Sequence, residues 1–181
     1  MSAGAGRRYG KAIFALAKQE GALEQSAEQL HRLAALVRDP AIAPVLRSPL
    51  LSAERRRQLT QTLTRDLSLS DLITRFAGVL ADHQRLSVLP AIAEYFQQLL
   101  DQELERVRVS IRSARPLDAA AQQQLVTAFA QLTGKQVLAA VRVDPDLLGG
   151  VLVELGTKVY DGSVRTQLER LAKQLGGSAT R

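Results

Sequence analysis

The sequence contains no cysteine. That absence excludes a disulfide framework, a thiolate metal site and a cysteine nucleophile together. Tryptophan is also missing, aromatic residues make up 4% of the chain, and histidine occurs only at His31 and His83. The two histidines fall on different predicted helices. Neither sits in an HxxxH or HExxH spacing, so the donors for a zinc site are lacking. No apolar run approaches the roughly 18 residues needed to span a bilayer. Direct transmembrane insertion is therefore not expected, and any membrane association is peripheral.

The motifs that carry chemistry fail one by one. A Walker A loop needs Gly, four residues, then Gly-Lys-Ser/Thr, so that backbone amides cradle phosphates. Gly10-Lys11 is followed by Ala12, and Gly134-Lys135 by Gln136. Gly4-Ala5-Gly6 opens like a dinucleotide loop, but Tyr9 stands at the third glycine position and no strand precedes it. There is no Gly-x-Ser-x-Gly. Asp144 and Asp146 flank Pro145, where turn formation explains them better than a cation does. No catalytic residue, cofactor or metal ligand is expected, and the chain reads as a non-enzyme.

What is present is a basic, Ala/Leu/Gln/Arg-rich chain of 181 residues with a net charge of +6. Such residues lose little rotamer freedom in helices. The charge is uneven: residues 1–105 carry a net +1 and residues 106–181 a net +5. A basic part suits nucleic acid, an anionic membrane surface or an acidic protein partner. Phe129 and Tyr160 are the only aromatics after residue 105, which leaves no stacking platform for single strands. Arg55, Arg56 and Arg57 point in different directions on a helix and read as a solvated face. The first nineteen residues carry Arg7, Arg8, Lys11 and Lys18 and no acid. That superficially resembles a transit peptide, but Tyr9, Ile13 and Leu16 share a helical face and favour a first amphipathic helix.

Up to about residue 105 the period is helical. Helices are expected from about Arg7 to Glu20, Leu23 to Val37, a short one between Pro40 and Arg47, Ala53 to Arg65, Asp71 to His83, and onward from about Val88. Leu30, Leu33, Ala34 and Val37 make the inward stripe of the second helix, and Leu59 and Leu63 that of the fourth. Leu72, Phe76, Val79 and Leu80 lie largely on one side of the fifth. Ser52 and Ser70 are positioned as N-caps. Short connections between helices are the pattern of a bundle.

At Val107 the period changes to two: Val107, Val109 and Ile111 alternate with Arg108, Ser110 and Arg112. Asp118 and Gly134 bracket a helix. Three further strands follow, at about Val137 to Val143, Gly150 to Leu155 and Lys158 to Tyr160. Ser163 caps a last helix with Val164, Leu168, Leu171 and Leu175 as its stripe. The expected fold class is mostly α: an N-terminal six-helix bundle, residues 1–105, followed by a small α/β C-terminal domain, residues 106–181.

Protein binding is the class left standing. Helices one and five carry more apolar positions than a small bundle needs, and two such helices side by side make a groove for an amphipathic helix. The pattern alone leaves open whether those positions are simply core. Four stretches decide the direction: RRYGKAIFALAK at 7–18, HQRLSVLPAIAEYF at 83–96, VDPDLLGGVLVELGTKVYDGSV at 143–164 and RTQLERLAKQL at 165–175. In this order they resemble the delta subunit family of bacterial and chloroplast F-type ATP synthases, whose mitochondrial counterpart is the oligomycin-sensitivity-conferring protein. The Met so close to the first stretch favours the bacterial branch.

The resemblance implies a non-catalytic stator connector of a proton-translocating ATP synthase, on the cytoplasmic side of the bacterial inner membrane. It ties the catalytic head to the peripheral stalk so that rotor torque is resisted. It implies two partners. The N-terminal helix of an alpha subunit would lie against Tyr9, Ala12, Ile13, Leu16, Phe76, Val79 and Leu80, with His83 at the edge. The b stalk subunits would meet Gly149, Gly150, Val151, Leu168, Leu171 and Leu175. Asp161, Gly162, Ser163 and Arg165 match the family signature, with a structural role in the strand-to-helix turn. Gly10 departs from the family, where many members carry Ala, and would soften the first helix by roughly 0.5–1 kcal/mol. The alternative is a basic adaptor for nucleic acid or an anionic membrane surface.

Overall fold

Glycines at positions 4, 6 and 10 should discourage a helix at the start of the chain, yet α1 runs without a break over Ser2–Gln19. It is followed by α2 (Leu23–Arg38), α3 (Ala43–Arg47), α4 (Ala53–Asp66), α5 (Asp71–Asp82), a single 3-10 turn at Leu86–Val88, and α6 (Leu89–Glu103). Then come β1 (Arg106–Ser113), α7 (Ala119–Thr133), β2 (Gln136–Val143), β3 (Val151–Leu155) and β4 (Lys158–Asp161). These elements belong to a computed structural model that describes residues 2–48, 51–156, 158–164 and 166. The chain divides into two compact units, Met1–Leu100 and Asp101–Arg181. Helices come first and a small α/β unit after them, as the change of period requires.

The early start of α1 corrects the expected one near Arg7, and α6 supplies the reason. A Cβ at Gly6 would lie 3.0 Å from the Ala91 Cβ, and one at Gly10 would lie 2.7 Å from the Tyr95 Cδ1. Both glycines let α1 approach α6 closely. One turn further on, Phe14 meets the fully buried Phe96 edge to face, with ring centroids 5.2 Å apart. Tertiary packing thus offsets the roughly 1 kcal/mol helix penalty of each glycine.

The second helix buries Leu30, Leu33, Ala34 and Val37, the stripe read from its period. In α4 the inward face differs from expectation. Leu59 and Leu63 are half-buried flanks, and Arg56, Thr60 and Thr64 are the buried residues. The threonine hydroxyls donate back to the carbonyls of Arg56 (2.8 Å) and Gln61 (3.0 Å). Their polarity is consumed within the helix, and their methyl groups can face inward. Arg56 Nη2 donates to the Leu51 carbonyl at 2.9 Å. Ser52 caps α4 as expected, accepting from the Arg55 N–H at 3.3 Å. Ser70 stands at the N-cap of α5 without making the cap bond. Its hydroxyl and its N–H both donate to the buried Gln29 Oε1, at 2.8 and 3.0 Å. That serine ties α2 to the start of α5.

In the second unit the strand order is β2-β1-β3-β4. β1 runs parallel to β2 through the α7 crossover and antiparallel to β3, and β3 and β4 are antiparallel. Val109, Ile111, Val137 and Val153 form the core of the sheet, covered by Leu125, Val126, Phe129 and Ala130 of α7. Asp118 caps α7 by accepting from the Ala121 N–H, and Gly134 closes it in the left-handed region at φ 66°. Asp144 accepts from the Asp146 N–H at 3.1 Å and pairs with Arg112 at 3.2 Å, so the Asp-Pro-Asp segment is a turn with an ion pair.

Candidate partner-binding surface

Two faces of the helical unit converge on Tyr9. Its ring meets Phe76 of α5 edge-on, with centroids 6.4 Å apart, and the Arg85 guanidinium lies 5.9 Å above its centroid. Helices α1 and α5 are therefore neighbours, as the expected groove requires. Leu16 and Val79 are each 47% exposed, Ala12 and His83 are exposed, and Tyr9 and Phe76 are half-buried. These residues form an apolar strip with an aromatic pair at its centre.

Two groove candidates do not lie on that surface. Ile13 and Leu80 are 0% exposed and belong to the core. They share the helical stripe of the exposed positions, but sit far enough around each helix to be covered. Their role is to fix the strip from beneath. Val79 serves a second surface as well. It stands on the ridge of α5 and also lines a cleft of about 440 Å³ toward α4, with Thr60, Thr64 and Gly78. Arg57 and Asp82 pair across the rim of that cleft at 2.5 Å. The hydrogen bond from Arg57 holds the Asp82 carboxyl below its ordinary range. His83 is the C-cap of α5 through its backbone, whose N–H reaches the Val79 carbonyl at 3.2 Å.

In the second unit the signature residues meet one another. Gly149 accepts from the Val164 N–H at 2.9 Å, and Gly162 donates its N–H to Val151 at 3.0 Å. A Cβ at Gly150, whose φ is +82°, would fall 2.3 Å from the Gly162 carbonyl oxygen. One at Gly149 would fall 2.8 Å from Val164 Cγ2. Asp161 accepts from the Ser163 N–H at 2.9 Å and from the Thr166 hydroxyl at 2.8 Å. Ser163 accepts from the Thr166 N–H at 3.4 Å. The glycine pair and the Asp-Gly-Ser turn are thus two halves of one internal corner, which gives Gly149 and Gly150 a structural reason independent of any partner. Arg165, Leu168, Leu171 and Leu175 lie outside the described residues.

Sequence reasoning did not single out Arg85, the cation on Tyr9. The only signal was its place two residues beyond His83, in the loop before α6. Among the described residues no three His, Asp or Glu side chains gather as a metal site would need, and no helix is long and apolar enough to cross a membrane.

The family model described as ATP synthase delta (OSCP) subunit matches residues 5–175. The chain belongs to that family. It is 42% identical over 170 residues to the ATP synthase subunit delta of Anaeromyxobacter sp. strain Fw109-5, covering 93% of this chain and 95% of that one. It is 33% identical over 177 residues to the subunit delta of Syntrophus aciditrophicus, covering 97% and 98%. A chain in the cryo-EM structure of the Toxoplasma gondii mitochondrial ATP synthase hexamer has the same fold, with a TM-score of 0.67 at 22% identity over 94% of this chain and 96% of that one. As a member of the delta/OSCP family the protein is a non-catalytic, stator-associated subunit of an F-type ATP synthase and a peripheral component of that complex.

Proposed function

We propose that the helical unit, read as a six-helix bundle, holds the N-terminal helix of an alpha subunit along the α1–α5 strip. The α/β unit then holds the C-terminal end of the b-type stalk subunits. The protein thereby couples the catalytic head to the stalk on the cytoplasmic side of a bacterial inner membrane. The observation that carries the first half is the Tyr9–Phe76 pair, centroids 6.4 Å apart, flanked by exposed Leu16 and Val79. A half-buried aromatic centre with exposed aliphatic flanks suits an amphipathic helix, which buries its own apolar face there. A connector under torque needs tight attachment, and such burial contributes about 25 cal/mol per Å² of apolar area.

The test is co-purification of the full-length protein with alpha and b subunits. Tyr9→Ala is expected to lower recovery of alpha severalfold and to leave b recovery unchanged. Recovery of alpha at the wild-type level, with the variant folded by circular dichroism, would sink the assignment.

A further inference from the structure

The margins of the α1–α5 strip are predominantly basic. Every ionisable residue within α1 that carries charge at neutral pH is basic: Arg7, Arg8, Lys11 and Lys18. Arg8 directly precedes Tyr9 and is exposed, on the flank of Ala12. Arg75, one residue before Phe76, is exposed, and its Nε donates to the Asp71 carbonyl at 3.3 Å. Arg85 is exposed and steadied by the Tyr9 ring beneath it at 5.9 Å. The one acid at the Val79 end, Asp82, is neutralised by Arg57 at 2.5 Å. Asp71 lies one turn before Arg75 on α5 and, among the described residues, forms no ion pair with it. Among the described residues neither Arg8, Arg75 nor Arg85 takes part in an ion pair.

We infer that the strip selects its occupant by charge as well as by shape: it takes an amphipathic helix whose apolar face is flanked by carboxylates. Arg85 is the main selecting residue. This rests on the strip being a helix-docking surface. Stacking on Tyr9 removes part of the rotamer freedom that an exposed arginine would lose on pairing. A carboxylate of the incoming helix can meet a guanidinium already in place. Arg8 and Arg75 complete the basic margin on the two helices. An occupant bearing lysines at the same flanks meets like charges on both sides, and repulsion excludes it.

The test uses the full-length protein and two synthetic helical peptides with identical apolar faces, one flanked by glutamates and one by lysines. Three exposed pairs at a few-fold each predict roughly tenfold tighter binding of the glutamate peptide at low salt. That preference should shrink as ionic strength rises, because exposed pairs are screened. Arg85→Glu should reverse or abolish the preference, and Arg8→Glu should reduce it. Circular dichroism establishes that each variant is folded, and Arg85→Lys should retain most of the preference. Equal binding of both peptides, or a preference untouched by Arg85→Glu and Arg8→Glu, overturns the charge inference while leaving the docking strip intact. Binding of neither peptide overturns the strip itself and the inference with it.

Discussion

The helical unit and the α/β unit use their most recognisable residues in opposite ways. In the first, the stretch from Arg7 to Lys18 sends Ile13 and Ala17 into the core and leaves Tyr9, Ala12 and Leu16 toward solvent. One helix supplies both the fold and the surface. In the second, Gly149, Gly150, Asp161, Gly162 and Ser163 bond to or pack against one another. The segment most diagnostic of the family is an internal corner, and its residues are needed whether or not anything docks there. A motif that identifies a family therefore need not be the place where the protein does its work. A half-buried aromatic pair with exposed aliphatic flanks and a basic margin can be that place with no distinctive motif at all.

That contrast can be broken at the corner first. Gly150→Ala forces a residue with a side chain to φ +82° and drives its Cβ into the Gly162 carbonyl. It should destabilise the α/β unit by roughly 3 kcal/mol or more, read as a lowered urea midpoint, with alpha binding retained. A near-neutral result would mean that the corner tolerates rearrangement and that its glycines answer to something else. Asp161→Ala removes the acceptors for the Ser163 N–H and the Thr166 hydroxyl. It should cost about 1–1.5 kcal/mol, in the range of a lost N-terminal cap. The smallest effect separates chain from context in α1. Propensity alone says that Gly10→Ala stabilises by up to about 1 kcal/mol. The 2.7 Å approach of the new Cβ to Tyr95 reverses that sign. A net loss of about 1 kcal/mol is expected, because the ring must move. A gain in melting temperature would show that α1 and α6 can separate freely.

Much of the architecture was legible because local signals and tertiary structure agree. Val107, Val109 and Ile111 announce a strand, and Val109 and Ile111 are the buried apolar residues of β1. Ser52, Asp118 and Gly134 cap helices as their chemistry predicts. The failures have a common cause. Hydrophobic periodicity sees only apolar side chains, so it chose Leu59 and Leu63 over the threonines that α4 buries. It could not separate Ile13 from Tyr9 or Leu80 from Phe76, each pair four residues apart and so near each other around the same helix. Gly10 looked like a softening of α1 because the helix it approaches is more than seventy residues away in the chain. Arg85 was invisible for the same reason: its significance is the Tyr9 ring beneath it.

The most direct test of the contrast is a calorimetric titration of the full-length protein with a peptide spanning the alpha subunit's N-terminal helix. Val79→Asp places a charge on the exposed ridge of α5 and is expected to weaken binding about tenfold or more, whereas Asp161→Ala should leave the affinity within about twofold. Unchanged affinity in Val79→Asp together with a large loss in Asp161→Ala would contradict the account, moving the docking surface from the α1–α5 strip to the corner of the α/β unit.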